Sequence, residues 1–307
     1  MPRPIPRVLS AALLAAGAIA PPRAIPAATR AVSASVADRQ DEPALPFRVV
    51  RFYRAKHRHT RVAAFLAIPS SLVQPTGSGA DAQFSYEVTF RLMHAGGDRP
   101  ESTVDEQTWR SRVPARSRGG RICAVETMEF MLPAGRYRVE AVVRDSVSGR
   151  EARAGVDLVG YDAPPRASDL LLSPEIRAAS AEDSMPRRGE FRRGSVLVSA
   201  VAVLHLTPTR STAYYLLEVY GSHDPSRATA MSLAVRDASG AVVRRTRPLP
   251  AELLPGGSVL RGKVDLAGLP PGRYELSVAL TLDGARVARS AAFTMDAADS
   301  TASSSRN

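Results

Sequence analysis

The chain has little of several residue types, and each shortage excludes a kind of protein. It contains a single cysteine, Cys123, among 307 residues, so no disulfide can form within the chain. Aromatic residues make up 6%, with one tryptophan, which leaves few side chains to stack on nucleic-acid bases. No internal stretch reaches the roughly 18 consecutive apolar residues that a membrane-spanning helix needs. We therefore expect the body of the chain to be soluble.

Sequence motifs of known chemistry are also absent. There is no Gly-x-Ser-x-Gly elbow, no Gly-x-Gly-x-x-Gly and no Gly-x-x-x-x-Gly-Lys run. Cys123 lies among Ile122, Ala124 and Val125, a setting typical of a small buried side chain on a strand rather than of a nucleophile. We predict no catalytic residue, no cofactor and no enzymatic activity.

The histidines include one pair with the spacing of metal ligands. His57 and His59 would share one face of a strand, but basic residues surround them and would repel a cation. These residues are Arg54, Lys56, Arg58 and Arg61. The other histidines, His94, His205 and His223, stand apart from one another. Asp145 and Asp283 lack the further oxygen ligands that calcium needs and are typical of hairpin turns. We predict no metal site.

The formal net charge is +11, from 41 basic and 30 acidic residues. Only Lys56 and Lys263 are lysines, so 39 of the basic residues are arginines. This bias, beside abundant alanine, is typical of GC-rich coding rather than of selection for phosphate contacts. We therefore predict no binding to nucleic acid, whereas attraction to an anionic envelope surface or a glycan stays possible.

The N-terminus has the features of a secretory signal. Arg3 and Arg7 precede a short apolar segment, residues 8–20, which is followed by two prolines. We assign residues 1–30 to a signal peptide and 31–45 to a mobile leader. No cysteine lies near the signal, which argues against a lipid anchor. The protein is expected to be exported to the periplasm, the cell envelope or the medium, with no transmembrane segment after signal removal.

One phrase occurs twice and divides the remaining chain. Residues 132–137 read LPAGRY and residues 269–274 read LPPGRY, and each phrase is followed by an alternating strand pattern. The copies lie 137 residues apart, which is a domain length rather than the period of a solenoid. We predict two β-domains, residues 46–160 and 166–295, with a proline-containing linker between them. Residues 296–307 have no apolar face and are predicted to be a disordered tail.

The local patterns within both segments are those of short strands and turns. Residues 84–92 alternate cleanly, and residues 213–220 form an aromatic-rich strand. Residues 173–194 are predicted to be a long loop, and residues 196–206 a strand region. The fold class is therefore all-β, with two tandem sandwiches of the immunoglobulin or fibronectin type III kind. Tyr137 and Tyr274, which start the repeated strands, are expected to be packed rather than to bind a ligand.

The sequence resembles the β-rich C-terminal portion of bacterial GWxTD-domain proteins, which are exported proteins of unclear function. The resemblance lies in residues 168–173 (SDLLLS), in residues 214–220 and in the two LPxGRY turns. It covers most of the chain from residue 46 to 295. The Gly-Trp-x-Thr-Asp signature is absent, since Trp109 lies in a Thr-Trp-Arg sequence. No role of that signature can be transferred to this chain.

These observations predict a non-catalytic structural or protein-interaction module of the cell envelope, which binds through exposed sheet edges or loops. A carbohydrate- or peptidoglycan-binding module is the first alternative and requires a row of exposed Tyr or Trp side chains. A hydrolase on a sandwich scaffold is the second and requires a pocket with convergent His and carboxylate groups. The tyrosine-rich strand at 214–220 and the basic stretch at 48–61 are the first places to look for a binding face.

Overall fold

In the computed structural model, the alternation of apolar and polar residues decides which side of each long strand is buried. In β4 (Gln83–His94), Phe84, Tyr86, Val88 and every second residue up to Leu92 are buried, while the residues between them are not. The structure describes residues 45–95, 102–115, 121–180, 182–183, 185–221, 230–251, 253–254 and 256–297. The predicted signal, nearly all of the leader, His223 and the last ten residues of the tail lie outside these ranges.

The first half of the described chain forms two facing sheets. Its other strands are β1 (Phe47–Arg54), β2 (His59–Pro69), β3 (Pro75–Thr76), β5 (Thr103–Pro114), β6 (Ile122–Leu132), β7 (Gly135–Asp145) and β8 (Glu151–Gly160). One sheet has the order β1-β2-β6, and the other the order β3-β4-β7-β8 with β5 on the remaining edge of β4. The inner faces of the two sheets share one apolar core, which includes Leu66, Phe90 and Val139.

The second half repeats this arrangement. Its strands are β9 (Leu171–Ser173), β10 (Ile176–Ala178), β11 (Glu190–Arg193), β12 (Val196–Ser199), β13 (Leu204–Leu206), β14 (Thr212–Tyr220), β15 (Ala230–Asp237), β16 (Val242–Arg245), β17 (Leu249–Pro250), β18 (Gly257–Asp265), β19 (Gly272–Leu282) and β20 (Ala285–Met295). A β18-β14-β9 sheet faces a β13-β20-β19-β15-β16 sheet, in which β17 also pairs with β15. These two sheets enclose a second core. The all-β prediction is confirmed, while the immunoglobulin or fibronectin assignment of each half stays a prediction.

The second half also contains a small third sheet, which corrects two expectations from the sequence. Residues 173–194 are not one long loop, because β10 and β11 lie within them and pair with β12 in the order β10-β12-β11. The predicted strand region at 196–206 is two strands in different sheets, since β13 runs parallel to β20 instead. Strands of three or four residues are too short to show a periodic pattern, so the sequence did not reveal them.

The repeated turn has the same packed tyrosine in both halves. Tyr137 and Tyr274 are buried, as predicted, as the third residues of β7 and β19. The hydroxyl of Tyr274 donates a hydrogen bond of 2.7 Å to the carbonyl of Pro270, the corner contact typical of sandwich domains. The hydroxyl of Tyr137 is buried without a hydrogen-bond partner, and its ring stacks on His94.

Candidate interaction site

The sequence suggested the basic stretch at 48–61 and the tyrosine-rich strand at 214–220 as a binding face. The two contact each other inside the protein, through Tyr53 and Tyr220. The outer face of the β1-β2-β6 sheet and the small third sheet form a third apolar core together with Leu171 and Leu216 of the second half. Phe65 and Phe191 approach to 5.2 Å between ring centroids there. We call this region the junction. All described residues belong to one compact unit, and the tyrosine-rich strand β14 is packed on both faces rather than exposed.

Basic residues of β1 bind the start of the second half. Arg51 forms a two-pronged ion pair with Asp169, with nitrogen–oxygen distances of 2.9 and 3.0 Å. The backbone N–H of Arg51 donates to the same carboxylate at 2.9 Å, and the N–H of Asp169 donates to the Arg51 carbonyl at 3.1 Å. Arg48 donates to the carbonyl of Leu170 at 2.7 Å. Arg48 and Arg51 of the basic stretch therefore hold the two halves together, whereas Arg54, Lys56 and Arg58 are exposed.

A buried ion pair lies at the other end of the junction. Two guanidinium nitrogens of Arg193 on β11, Nε and Nη2, donate to the carboxylate of Glu218 on β14, and both side chains are more than nine-tenths buried. Tyr220 donates to Glu218 at 2.8 Å and accepts the N–H of Tyr53 from β1 at 2.8 Å. Burial, followed by the charge of Glu218, raises the pKa of Tyr220 well above its usual range. The hydroxyl therefore stays protonated and can donate.

A third polar contact joins the second half to one edge of the first. Glu126 on β6 is buried and accepts hydrogen bonds from Tyr86 at 2.7 Å and Ser111 at 2.9 Å. Arg188, in the segment before β11, approaches Glu126 to 3.9 Å and donates to Ser111. A groove of about 450 Å³ runs between β6 and residues 186–192 beside this contact.

Sequence reasoning missed the partners that make these contacts. These residues belong to no motif of known chemistry, although Asp169 and Glu218 lie in two of the segments that resemble GWxTD-domain proteins; the others are Glu126, Arg188 and Arg193. Glu218 does carry a signal, because it is a charged residue inside an otherwise apolar and aromatic strand. A charge at such a position implies a buried partner. The sequence alone does not say which arginine that partner is.

Among the strands that the structure describes, β5 pairs only with β4, so its other backbone edge is free of a described strand. The Ser85 carbonyl accepts the Ser146 N–H and so points away from β5. On β5, the residue paired with Ser85 is Arg112. The Arg112 carbonyl points away from β4 and accepts a hydrogen bond of 3.0 Å from Arg188. In a regular antiparallel pair this direction alternates along the strand. The N–H and C=O groups of Glu106, Thr108 and Arg110 therefore also point to the free edge.

Alternating charges cover the outer face of the sheet that ends in β5. In one row Arg110 contacts Glu87 at 3.1 Å, and Arg144 and Glu151 follow on β7 and β8. In a second row Arg91 contacts Glu106 at 2.6 Å and Glu140 at 3.6 Å. Between the rows, the hydroxyls of Thr89 and Thr108 lie 2.8 Å apart. Within each of these two rows, side chains that face each other across neighbouring strands thus carry opposite charges.

The histidines are spread over separate places. The rings of His57 and His59 lie 6.5 Å apart at the β1–β2 turn, His94 ends β4, and His205 on β13 lies 3.2 Å from Asp296. Among the described residues, no three His, Cys, Asp or Glu side chains form a cluster that could hold a metal ion. Asp145 binds the N–H and hydroxyl of Ser148 in its hairpin turn.

Comparisons with known proteins neither assign this chain to a family nor indicate an activity. No family model and no curated protein matches the chain. Among solved structures 129 chains match, including a red sea bream transglutaminase with 9% identity and a TM-score of 0.26. That match covers 82% of this chain but 31% of the transglutaminase. A likeness at that TM-score carries no argument about activity, and the resemblance to GWxTD-domain proteins stays a prediction.

Proposed function

We propose that this protein is an exported, non-catalytic interaction module of the cell envelope that binds a protein partner at the free edge of β5. The main support for this proposal is that the backbone groups of Glu106, Thr108 and Arg110 point outward along a twelve-residue strand. Such an edge is ready to accept a further strand. The junction supports this function because it joins the two halves into one body, so that the β5 edge belongs to a packed structure.

The aromatic residues favour a protein partner over a glycan. A glycan-binding face needs exposed aromatic rings, and none of the eight tyrosines is exposed; Trp109 is half-buried against Phe90. The described ranges contain no helix with the length and apolarity to cross a bilayer.

A second surface supports an envelope location. The edge strands β16, β17 and β18 of the second half carry exposed apolar side chains, namely Val242, Val243, Leu249 and Val259. Four exposed basic residues lie among them without an ion-pair partner in the described part of the chain. They are Arg245, Arg247, Arg261 and Lys263. A surface both apolar and cationic suits contact with an anionic envelope.

The test is capture of partners from envelope extracts with the mature protein and two variants. Thr108→Pro removes an outward N–H from the β5 edge, whereas Thr108→Val keeps that N–H and removes only the hydroxyl. We expect a protein that the wild type and Thr108→Val retain and Thr108→Pro loses. Recovery of glycan fragments, or of the same proteins with all three baits, would contradict the proposal.

A further inference from the structure

The residues along the free edge of β5 are complementary to themselves in reverse order. Glu106 and Arg110 lie at equal distances on either side of Thr108, and the backbone groups of all three point to the free edge. Two such strands placed antiparallel about Thr108 bring Glu106 of each copy opposite Arg110 of the other. Opposite charges that face each other across a strand pair stabilise the pairing, and like charges oppose it.

We propose that the partner of this edge is a second copy of this chain. The two β5 strands pair antiparallel about a two-fold axis that passes between the two Thr108 residues. This inference rests on the proposed function, because it names the partner of that same edge. The two sheets then form one continuous sheet, in which β5 of one copy lies beside β5 of the other. A contact of this kind is isologous and closes at two copies.

The charges of the outer face favour this arrangement over the registers centred on either of the two charged residues. In one copy the row from β8 to β5 reads Glu151, Arg144, Glu87, Arg110. Across the axis it would continue with Glu106, Arg91 and Glu140 of the second copy, so that the alternation of sign is unbroken. Centring the pair on Glu106 or on Arg110 instead would place two identical charges opposite each other.

The ends of the pairing are also defined. Arg188 already occupies the outward carbonyl of Arg112, so the new ladder cannot extend past that residue without displacing Arg188. The three outward residues Glu106, Thr108 and Arg110 supply the central hydrogen bonds. Arg110 is available to a partner because its side chain is 83% exposed.

Trp109 provides a direct reporter of the pairing. It is the only tryptophan, it lies next to the axis, and its ring is half-buried, stacked on Phe90 with centroids 5.5 Å apart. In the proposed dimer Gln107 of the second copy lies opposite Trp109. We expect the Trp109 emission to shift to shorter wavelength with increasing protein concentration, in step with dimer formation in sedimentation velocity from about 1 to 100 µM.

A charge-swap experiment tests the register. Arg110→Glu places Glu106 opposite a glutamate, and Glu106→Arg places Arg110 opposite an arginine, so each variant alone should dimerise at least about tenfold more weakly than the wild type. Mixed in equal amounts, the two variants restore both pairs of opposite charge. We expect the mixture to dimerise like the wild type and each variant to melt at a temperature close to that of the wild type.

Several outcomes would overturn the inference. Wild-type protein that stays monomeric across the concentration range, or folded variants that dimerise as well as the wild type, would exclude the pairing. A mixture that stays monomeric would exclude the register. If the wild type is monomeric and the Thr108→Pro bait still loses a different envelope protein, this inference fails and the proposed function stands. If no edge-dependent protein is found either, both fail.

Discussion

The hydroxyl groups of Tyr274 and Tyr137 differ in their hydrogen bonding, although both tyrosines follow an LPxGR sequence. Tyr274 donates to the Pro270 carbonyl, whereas the hydroxyl of Tyr137 is buried without a partner. Burial raises the pKa of Tyr137, so its hydroxyl stays protonated. A local sequence that differs at one position, Ala134 against Pro271, therefore does not guarantee the same hydrogen bond, because the bond depends on where the preceding turn places its carbonyl.

Two Tyr→Phe variants test this difference. Tyr274→Phe is expected to lower the free energy of unfolding by about 1 kcal/mol, since a net hydrogen bond is lost. Tyr137→Phe is expected to leave it unchanged or to raise it, since an unsatisfied buried hydroxyl is removed. Urea denaturation of both variants measures this, and equal losses would contradict the assignment.

Cys123 also shows what burial does to a single side chain. Its thiol is half-buried on β6, lies 3.4 Å from the Ile68 carbonyl, and has its pKa raised by burial to about 11. Because the thiolate is the reactive form, a disulfide reagent at pH 8 should modify the folded protein far more slowly than the urea-unfolded protein. Equal rates would show that the thiol is accessible in the native state.

Among the elements, the two repeated turns use their glycines differently. Gly135 has a φ of +151°, and a Cβ there would lie 3.2 Å from the Tyr137 ring. Gly272 has no such φ, and a Cβ there would make an ordinary contact at 3.5 Å with the Tyr274 ring. The glycine is thus required by conformation in the first turn and not in the second.

Alanine substitution separates the two cases. Gly135→Ala is expected to lower the free energy of unfolding by about 1 to 3 kcal/mol, because a side chain at that φ is strained. Gly272→Ala is expected to change it by less than about 1 kcal/mol. Thermal or urea unfolding of the two variants, compared with the wild type, checks this difference. A larger loss for Gly272→Ala would reverse the interpretation.

How much of an element is visible in the sequence depends on its length. The twelve residues of β4 alternate over five buried positions, and Asp145 and Asp283, which the sequence assigned to hairpin turns, lie at the β7–β8 and β19–β20 turns. The small third sheet was missed because its strands have three or four residues each. Its stability comes from packing against the β1-β2-β6 sheet, and that contact leaves no local pattern.

For the molecule as a whole, the junction decides whether the halves unfold together. Glu218→Gln leaves the Arg193 guanidinium buried without a counter-charge, which typically costs about 3 to 5 kcal/mol. We expect calorimetry to show one transition for the wild type and two for Glu218→Gln, as the halves separate. Asp157→Asn is the control, because the Arg138–Asp157 pair is exposed and should contribute no more than about 1 kcal/mol. Two transitions in the wild type would show that the junction does not couple the halves.

The sequence by itself determined the all-β class, the two-fold repeat of the turn and the buried face of each long strand. These features depend on neighbours within one strand or turn, which the order of residues specifies directly. Only the tertiary structure decided what the polar residues do. Arg51 and Asp169 are 118 positions apart, and a charge acquires its role from the group that folding places beside it. The sequence therefore singled out the basic stretch and the tyrosine-rich strand, but it did not show that Arg48, Arg51 and the strand lie between the two halves of the protein.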